Sequence, residues 1–231
     1  MLLREDGDAL VCIGQPAHAW LSGQLARNWA LDPVEPWEEV CLAAEQHDVG
    51  MSVWDPVPQL NPETGLPYSF MEMPLETHMS LWTAAPMRVV SQSRYAAVLV
   101  SMHGSGLYER RDLSRMSDDD AHAVREYLLA QQWVQERLGH GLDREELKRN
   151  QRLIWIWDFL SLGLCLHWEG RSLEGLTLRE GTIEPWPFRD DALVVRTEGR
   201  RLEGRFEDEA AMRAALEEAP WVELRFELGR S

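Results

Sequence analysis

The sequence predicts a mainly α-helical fold with a small antiparallel β layer. In the first 168 residues, apolar side chains recur at steps of three and four, which is the spacing of one face of a helix. After Gly170 they occur in short alternating runs bounded by turn residues, a pattern that is typical of strands. We therefore expect a helical domain at residues 1–168 and a small β/α subdomain at residues 169–231 packed on it.

The first 75 residues are predicted to contain a hairpin, two helices and a lid. Alternation around a turn signal indicates a β-hairpin at residues 1–14, which could join the C-terminal β layer. Helical spacing follows at residues 16–30 and 37–49. Residues 50–75 contain five prolines, and their aromatic and methionine side chains favour an ordered lid or pocket wall over a linker.

The rest of the chain is predicted to form helices before Gly170 and mainly strands after it. Four further helices are expected before Gly170, at residues 75–92, 93–103, 117–138 and 143–168. Four strands are expected after it, at residues 177–187, 192–197, 202–207 and 221–227. Glu198-Gly199 indicates a turn, and residues 208–218 a short amphipathic helix. Ser117 and Asp143 are predicted N-caps, each followed by an acidic first turn.

Composition and charge exclude several classes. Twenty-three basic and 39 acidic residues give a net charge of −16 without a basic stripe, so we expect no nucleic-acid partner. No apolar run is long enough for a membrane span or a signal peptide, and we expect a cytoplasmic protein. The three cysteines lie far apart in apolar sequence, as expected of buried free thiols.

The most informative residue is an aspartate in apolar sequence. Asp158 lies in the run 153–160, which is apolar on nearly every face of the predicted helix. A lone carboxylate there would be strongly destabilising, because it would lose its hydration. Asp158 is therefore expected to be protonated, paired with a cation such as Arg152, or bound to a metal ion.

Four histidines lie in comparable positions. His18 stands between alanines on the first helix, His103 ends an apolar run, and the adjacent pair His47-Asp48 closes the second helix. His78 opens the helix after the lid. Imidazoles and carboxylates that converge in a helical bundle are the donors of a transition-metal site. The alternatives are a hydrogen-bonded core histidine at His18 and a plain helix start at His78.

The order of these residues resembles the signature of the HD-domain superfamily, a helical fold of metal-dependent enzymes. That signature is a histidine, a His-Asp doublet and a late aspartate, and members with two metals add two histidines before the aspartate. The resemblance spans about residues 15–165 and implies an HD-like bundle with two divalent ions, Fe or Mn first and Zn or Mg as alternatives. Asp48 would bridge the ions as the central catalytic carboxylate. The implied ligands are His18, His47 and Asp158 on one ion and His78 and His103 on the other.

Longer phrases also resemble an uncharacterised bacterial family, a domain of unknown function, and this likeness implies no activity. The phrases lie at residues 15–23, 47–50, 54–55, 65–70 and 157–162.

Further residues are expected near the site. Many HD proteins carry a basic residue three positions after the doublet's aspartate, but Met51 stands there, which weakens the case for a polyanionic substrate. Two catalytic candidates are Arg27, as a source of positive charge, and Asp55, as the acceptor of a hydrogen bond from a ligand histidine. Positive charge could also come from other arginines, although each of these and Arg27 has the alternative of an ordinary surface residue: Arg94, Arg110 and Arg111. We expect four residues to line the pocket, namely Trp54, Tyr68, Glu72 and Trp82.

Three functions are compatible with this pattern. The first is a dinuclear metal-dependent phosphohydrolase or phosphodiesterase that acts on a small molecule. The second, as the alternative to this leading function, is a mixed-valent diiron oxygenase, which the same superfamily resemblance also implies. The third is a non-catalytic protein in which the site binds a metal or ligand and stabilises the helices.

Overall fold

Helices are the main elements of the fold, as the sequence predicts, and contain about half of the residues. The computed structural model describes residues 1–230, which contain seven α-helices. They are α1 (Gln15–Arg27), α2 (Trp37–Gln46), α3 (Leu75–Val89), α4 (Arg94–Glu109), α5 (Asp118–Leu138), α6 (Arg144–Leu166) and α7 (Glu209–Glu218). Both predicted N-caps are confirmed, because Ser117 Oγ accepts from the N–H of Asp120 and the Asp143 carboxylate accepts from that of Glu145.

An antiparallel sheet of four strands forms the β layer. The strands within residues 1–230 are β1 (Leu2–Asp6), β2 (Ala9–Ile13), β3 (Leu60–Asn61), β4 (Leu66–Pro67), β5 (Ser172–Leu173), β6 (Leu176–Arg179), β7 (Thr182–Glu184), β8 (Ala192–Glu203) and β9 (Trp221–Gly229). The main sheet has the order β1-β2-β8-β9, and the N-terminal hairpin joins the C-terminal strands through pairing of β2 with β8. Two smaller sheets, β3-β4 and β5-β6-β7, lie outside it.

A predicted turn is replaced by continuous strand. Strand β8 runs through Glu198-Gly199, and Gly199 is paired with Val222 of β9. A Cβ on Gly199 would lie 2.7 Å from Val11 Cγ1 and 2.8 Å from Cys12 O of the neighbouring β2. The prediction of a turn was wrong because this glycine permits a close approach between strands.

Helix α4 extends beyond its predicted end at His103. A Cβ on Gly104 would lie 2.6 Å from Trp82 Cε3, and one on Gly106 would lie 3.1 Å from Trp155 Cζ2. The two glycines therefore let indole rings pack directly against the helix backbone, and they do not end the helix.

The helices and the β layer share one apolar core. Its inaccessible side chains include Leu21, Leu99 and Trp157 from the helices, and Leu2 and Val195 from the sheet. The C-terminal strands are therefore packed on the helical part. Among residues 1–230, no helix is both long and apolar enough to cross a membrane.

The lid at residues 50–75 is held from two sides. The N–H of Phe70 donates to the carbonyl of Met1 at 2.9 Å, and the N–H of Phe206 donates to that of Gly65 at 2.8 Å. Glu209 on α7 accepts from the backbone N–H of Leu60 at 3.0 Å. The C-terminal region thus holds in place a segment that is distant in sequence.

Candidate metal centre

Five of the predicted ligands meet inside the helical bundle. His18 lies on α1, His103 on α4 and Asp158 on α6, whereas His47 and Asp48 follow the last residue of α2. None of the five residues exposes more than 7% of its surface. Three helices and one helix end therefore bring ionisable groups from distant parts of the chain to one buried point.

The donor atoms form two overlapping triads. His18 Nε2 lies 2.6 Å from Asp48 Oδ2, and His47 Nε2 lies 3.7 Å from the same oxygen. His47 Nε2 is also 3.4 Å from Asp158 Oδ1, and His103 Nε2 is 3.7 Å from Asp158 Oδ2. Donor atoms lie within 4.8 Å of one another in the triads His18–His47–Asp48 and His47–His103–Asp158. Imidazole and carboxylate donors at these separations could bind one transition-metal ion.

The last turn of α2 orients the imidazole ring of His47. The predicted helix 37–49 ends three residues early, and His47-Asp48 lies between α2 and a short 3₁₀ helix, Val49–Val53. His47 Nδ1 donates to the carbonyl of Ala44 at 2.8 Å, which directs Nε2 to the carboxylates. Although Nε2 is buried, the carboxylates are not aligned with it for a regular hydrogen bond. A buried nitrogen of this kind, on a ring whose other nitrogen is tied to a carbonyl, fits a metal ligand.

His18 is oriented in a similar way. Its Nδ1 lies 2.9 Å from Ser161 Oγ, which itself donates to the carbonyl of Asp158. The contact with Ser161 orients the ring so that Nε2 faces Asp48. The 2.6 Å between Nε2 and Asp48 Oδ2 is a hydrogen-bond distance, and an imidazole nitrogen and a carboxylate oxygen are both atoms that transition metals bind.

The carboxylates remain ionised despite their burial. Burial disfavours charge on His47, but Asp48 and Asp158 outweigh it and raise the pKa of His47 to about 9. Burial alone would raise the pKa values of Asp48 and Asp158, yet the surrounding imidazoles lower both. Burial and the charge of His47 lower the pKa of His103 to about 4. Metal binding would therefore exchange a proton on His47 for a cation.

Asp158 does not pair with an arginine. Arg152, the cation considered from the sequence, forms an exposed ion pair with Glu174 at 3.2 Å. Among residues 1–230, the cationic partners of Asp158 are imidazoles, with His18 Nδ1 at 3.9 Å in addition to His47 and His103. Its lowered pKa also argues against a protonated carboxyl.

His78, the sixth predicted ligand, lies outside the triads. Its Nε2 accepts a 3.0 Å hydrogen bond from Trp82 Nε1, and its Nδ1 donates to the hydroxyl of Tyr108. Since an indole N–H only donates, Nε2 is the unprotonated nitrogen. Burial lowers the pKa of His78 to about 4 against the opposing charge of Asp48. His78 would bind a metal only after Trp82 released it.

A cavity of about 390 Å³ opens onto the cluster. This volume lies within the usual range for small-molecule sites. Eight of the fifteen lining residues are apolar, and the lid contributes Phe70, Met71 and Met73. The lid therefore forms a pocket wall, as the sequence predicts.

The two catalytic candidates outside the triads make other contacts. Asp55 Oδ2 accepts from the backbone N–H of Gln15 at 2.5 Å, and Oδ1 lies 2.9 Å from the ammonium of Met1. Both oxygens are thus engaged, and Asp55 contacts no ligand histidine among residues 1–230. Arg27 is exposed and pairs with Glu45 at 2.9 Å, outside the cavity. Asp55 therefore anchors the first strand and α1, and Arg27 belongs to the surface.

Of the four predicted pocket residues, Trp82 alone lines the cavity. Trp54 is buried in the apolar core. Tyr68 is tied into the lid by its backbone N–H, and Glu72 accepts from the hydroxyl of Ser69 at 2.6 Å. These contacts fix the turns of the lid itself, and the neighbouring apolar side chains are turned to the cavity instead.

Sequence reasoning did not assign six lining residues to the pocket, although helical spacing could have found them. Each lies three, four or eight positions from a predicted ligand on the same helix or just beyond its end. They are Gln15 before His18, Leu75 before His78, Leu107 and Arg111 after His103, Trp155 before Asp158 and Leu162 after it. The ring of Trp155 lies 4.5 Å from that of His103.

Comparison with known proteins adds a family and no activity. A family model described as "Protein of unknown function (DUF3891)" matches residues 1–204. No curated protein and no solved structure is significantly similar to the chain. The matched range includes the whole donor cluster and the lining of the cavity, whereas α7 and β9 lie beyond it.

Proposed function

The chain belongs to DUF3891, a family described as proteins of unknown function, and we propose that it is a metal-dependent hydrolase of small-molecule phosphate esters. The observation that carries this proposal is a buried set of three imidazoles and two carboxylates, four of which line a cavity of small-molecule size. The order of these residues along the chain resembles the HD signature, which supports the same chemistry.

The donor set favours a transition metal. Imidazole and carboxylate together suit Fe, Mn and Zn, and the nitrogens of His18 and His47 are oriented by outer hydrogen bonds in the manner of metal ligands. A bound divalent ion would lower the pKa of a water ligand and polarise a phosphoryl oxygen. Asp48 and Asp158 would offset its positive charge. The rings of Trp82 and Trp155, 5.6 and 4.5 Å from that of His103, would keep water away from that side of the centre.

The HD resemblance implies two ions, and the geometry constrains how they would bind. The triads share His47, whose Nδ1 is engaged by Ala44, and one remaining nitrogen binds one ion. We propose that the first ion uses His47. A second ion would draw on the remaining donors and on His78, which must first leave Trp82. Because that leaves a buried indole N–H unpaired, the second ion should bind more weakly, by about 1–3 kcal/mol.

Metal analysis and kinetics test the proposal together. Protein purified without chelators should contain Fe or Mn and should hydrolyse aryl phosphate monoesters or diesters. Asp158→Asn should lose metal and turnover, whereas Asp190→Asn, the same change on an exposed residue, should lose neither. No turnover across a broad panel of phosphate esters by the metal-loaded protein would overturn the hydrolase. Undiminished turnover in Asp158→Asn would overturn the assignment of the site.

One observation favours a second function. The largely apolar lining of the cavity suits a substrate that reacts at a C–H bond, as in the diiron oxygenases of the HD superfamily. In that case iron-loaded, partially reduced protein should give a mixed-valent electron paramagnetic signal. A protein that binds only Zn or Mg would exclude the oxygenase. Metal retention without either activity would indicate a non-catalytic binding protein.

A further inference from the structure

The cavity carries one cationic side chain beside the metal-donor cluster. Arg111, which follows the end of α4, is the only Lys or Arg in the lining. Its guanidinium lies over the ring of Tyr108, 4.7 Å from the centroid. It forms no ion pair with a carboxylate of residues 1–230, so its charge is available to a ligand.

A buried amide provides a second polar feature. Gln15 exposes 4% of its surface, lines the cavity, and leaves Oε1 without a hydrogen-bond partner among residues 1–230. Its backbone is held by the bond from its N–H to Asp55. An unpaired buried acceptor is destabilising, and a ligand that donates a hydrogen bond would relieve this cost.

The remaining wall is aromatic and apolar. Trp82 and Trp155 stand on the helix side, and Phe70, Met71 and Met73 form the lid side. Methionine side chains adapt to varied apolar shapes and pack well against aromatic rings. A flat or aromatic ligand body therefore fits the cavity better than a sugar or a polyphosphate.

We infer that the cavity binds a small amphiphile with an aromatic or apolar body, a single anionic group that pairs with Arg111, and a hydrogen-bond donor that meets Gln15. The inference rests on the proposed function in taking this cavity as the active site. A phosphate ester and a carboxylate share the required chemistry, because both pair with a guanidinium. A nucleoside polyphosphate does not fit, since its several charges would meet one arginine and an apolar wall.

Binding to the metal-loaded protein, followed by quenching of tryptophan fluorescence or by calorimetry, tests the inference without turnover. The probes are 2-naphthylmethylphosphonate as a non-hydrolysable ester analogue, 2-naphthoate, inorganic phosphate and ATP. At least one naphthyl probe should bind at least tenfold more tightly than phosphate or ATP. Comparing the affinities for 2-naphthylmethylphosphonate and 2-naphthoate shows whether the cavity prefers a phosphate ester or a carboxylate. Equal affinity for phosphate and the naphthyl probes, or no binding of either naphthyl probe, would overturn the inference.

Two substitutions test the proposed contacts of the ligand with Arg111 and Gln15. Arg111→Gln should weaken binding of the preferred naphthyl probe at least tenfold, whereas Arg115→Gln, the same change on an exposed arginine four residues later, should not. A 6-hydroxy derivative of the preferred probe should bind more tightly than its parent, and Gln15→Leu should abolish that gain. Unchanged affinity in Arg111→Gln would overturn the inference.

The two proposals fail in different ways. Probe binding through Arg111 without hydrolysis of 2-naphthyl phosphate would overturn the proposed hydrolase and support the present inference. Hydrolysis of that ester, with affinity for the probes unchanged in Arg111→Gln, would support the hydrolase and overturn the inference.

Discussion

Replacing Gly104 with alanine tests the packing that holds the cavity wall against α4. The new Cβ would lie 2.6 Å from Trp82 Cε3 and 2.7 Å from Tyr127 Oη, and both rings are almost fully buried. Since neither ring can yield without displacing its neighbours, we expect an overpacking cost of about 2–3 kcal/mol. Alanine recovers about 1 kcal/mol of helix propensity over glycine. The net loss of stability is therefore about 1–2 kcal/mol, which corresponds to a decrease in Tm of about 2–8 °C for a chain of this size.

Scanning calorimetry against a matched glycine measures this effect. Gly229→Ala is the control, because a Cβ there would meet nothing within 4 Å, and its stability should change by less than about 0.5 kcal/mol. The Gly104→Ala protein should also lose affinity for the first metal ion, because Trp82 packs against the ligand His103. A Tm at or above that of the parent protein would refute the packing argument.

Three further predictions concern the thiols, the site proton and Asp55. Burial raises the pKa of Cys12 and Cys165 to about 12 and that of Cys41 to about 11. A thiol reagent at pH 8 should therefore label none of the three cysteines until the protein is unfolded, and one fast-reacting native thiol would contradict this. Below pH 9, metal binding should release the proton of His47, so the apparent affinity should rise by up to about tenfold per pH unit. Proton release can be measured by calorimetry, because the observed enthalpy of metal binding then depends on the ionisation enthalpy of the buffer. A binding enthalpy that is the same in every buffer would contradict the prediction. Asp55→Asn should destabilise the protein by about 3 kcal/mol, because it leaves a buried ammonium without its carboxylate, but metal content should not change. Loss of metal in the Asp55→Asn protein would contradict this assignment and would place Asp55 in the metal centre.

Local signals predicted the elements that local chemistry decides. Helix α5 begins after the Ser117 cap and ends at the predicted residue, Leu138, because capping and apolar spacing belong to one segment. Glycines misled the prediction at Gly104 and Gly199, where each makes room for another element. A close approach between distant segments has no local signature, so the sequence pattern could not separate it from a turn or a helix end.

In the site, too, some residues could be found from the local sequence and others only from tertiary contacts. His18 and Asp158 could be found from the sequence, because an ionisable group in apolar surroundings needs compensation wherever the chain goes. Arg111 looked like an ordinary surface arginine, since nothing nearby in sequence reveals the cavity that it borders. Asp55 was assigned to a histidine because its partner, the ammonium of Met1, lies more than fifty residues away in the chain.

The sequence by itself therefore determined a helical bundle with an added β layer, an ordered lid and a set of buried donors, because periodicity, capping and desolvation act within short segments. Only the tertiary structure decided that two donor triads share His47, that Trp82 and Tyr108 hold His78, and which tryptophans border the cavity. These features depend on distances of a few ångströms between helices that are far apart in the chain, and such distances are set by packing of the whole core.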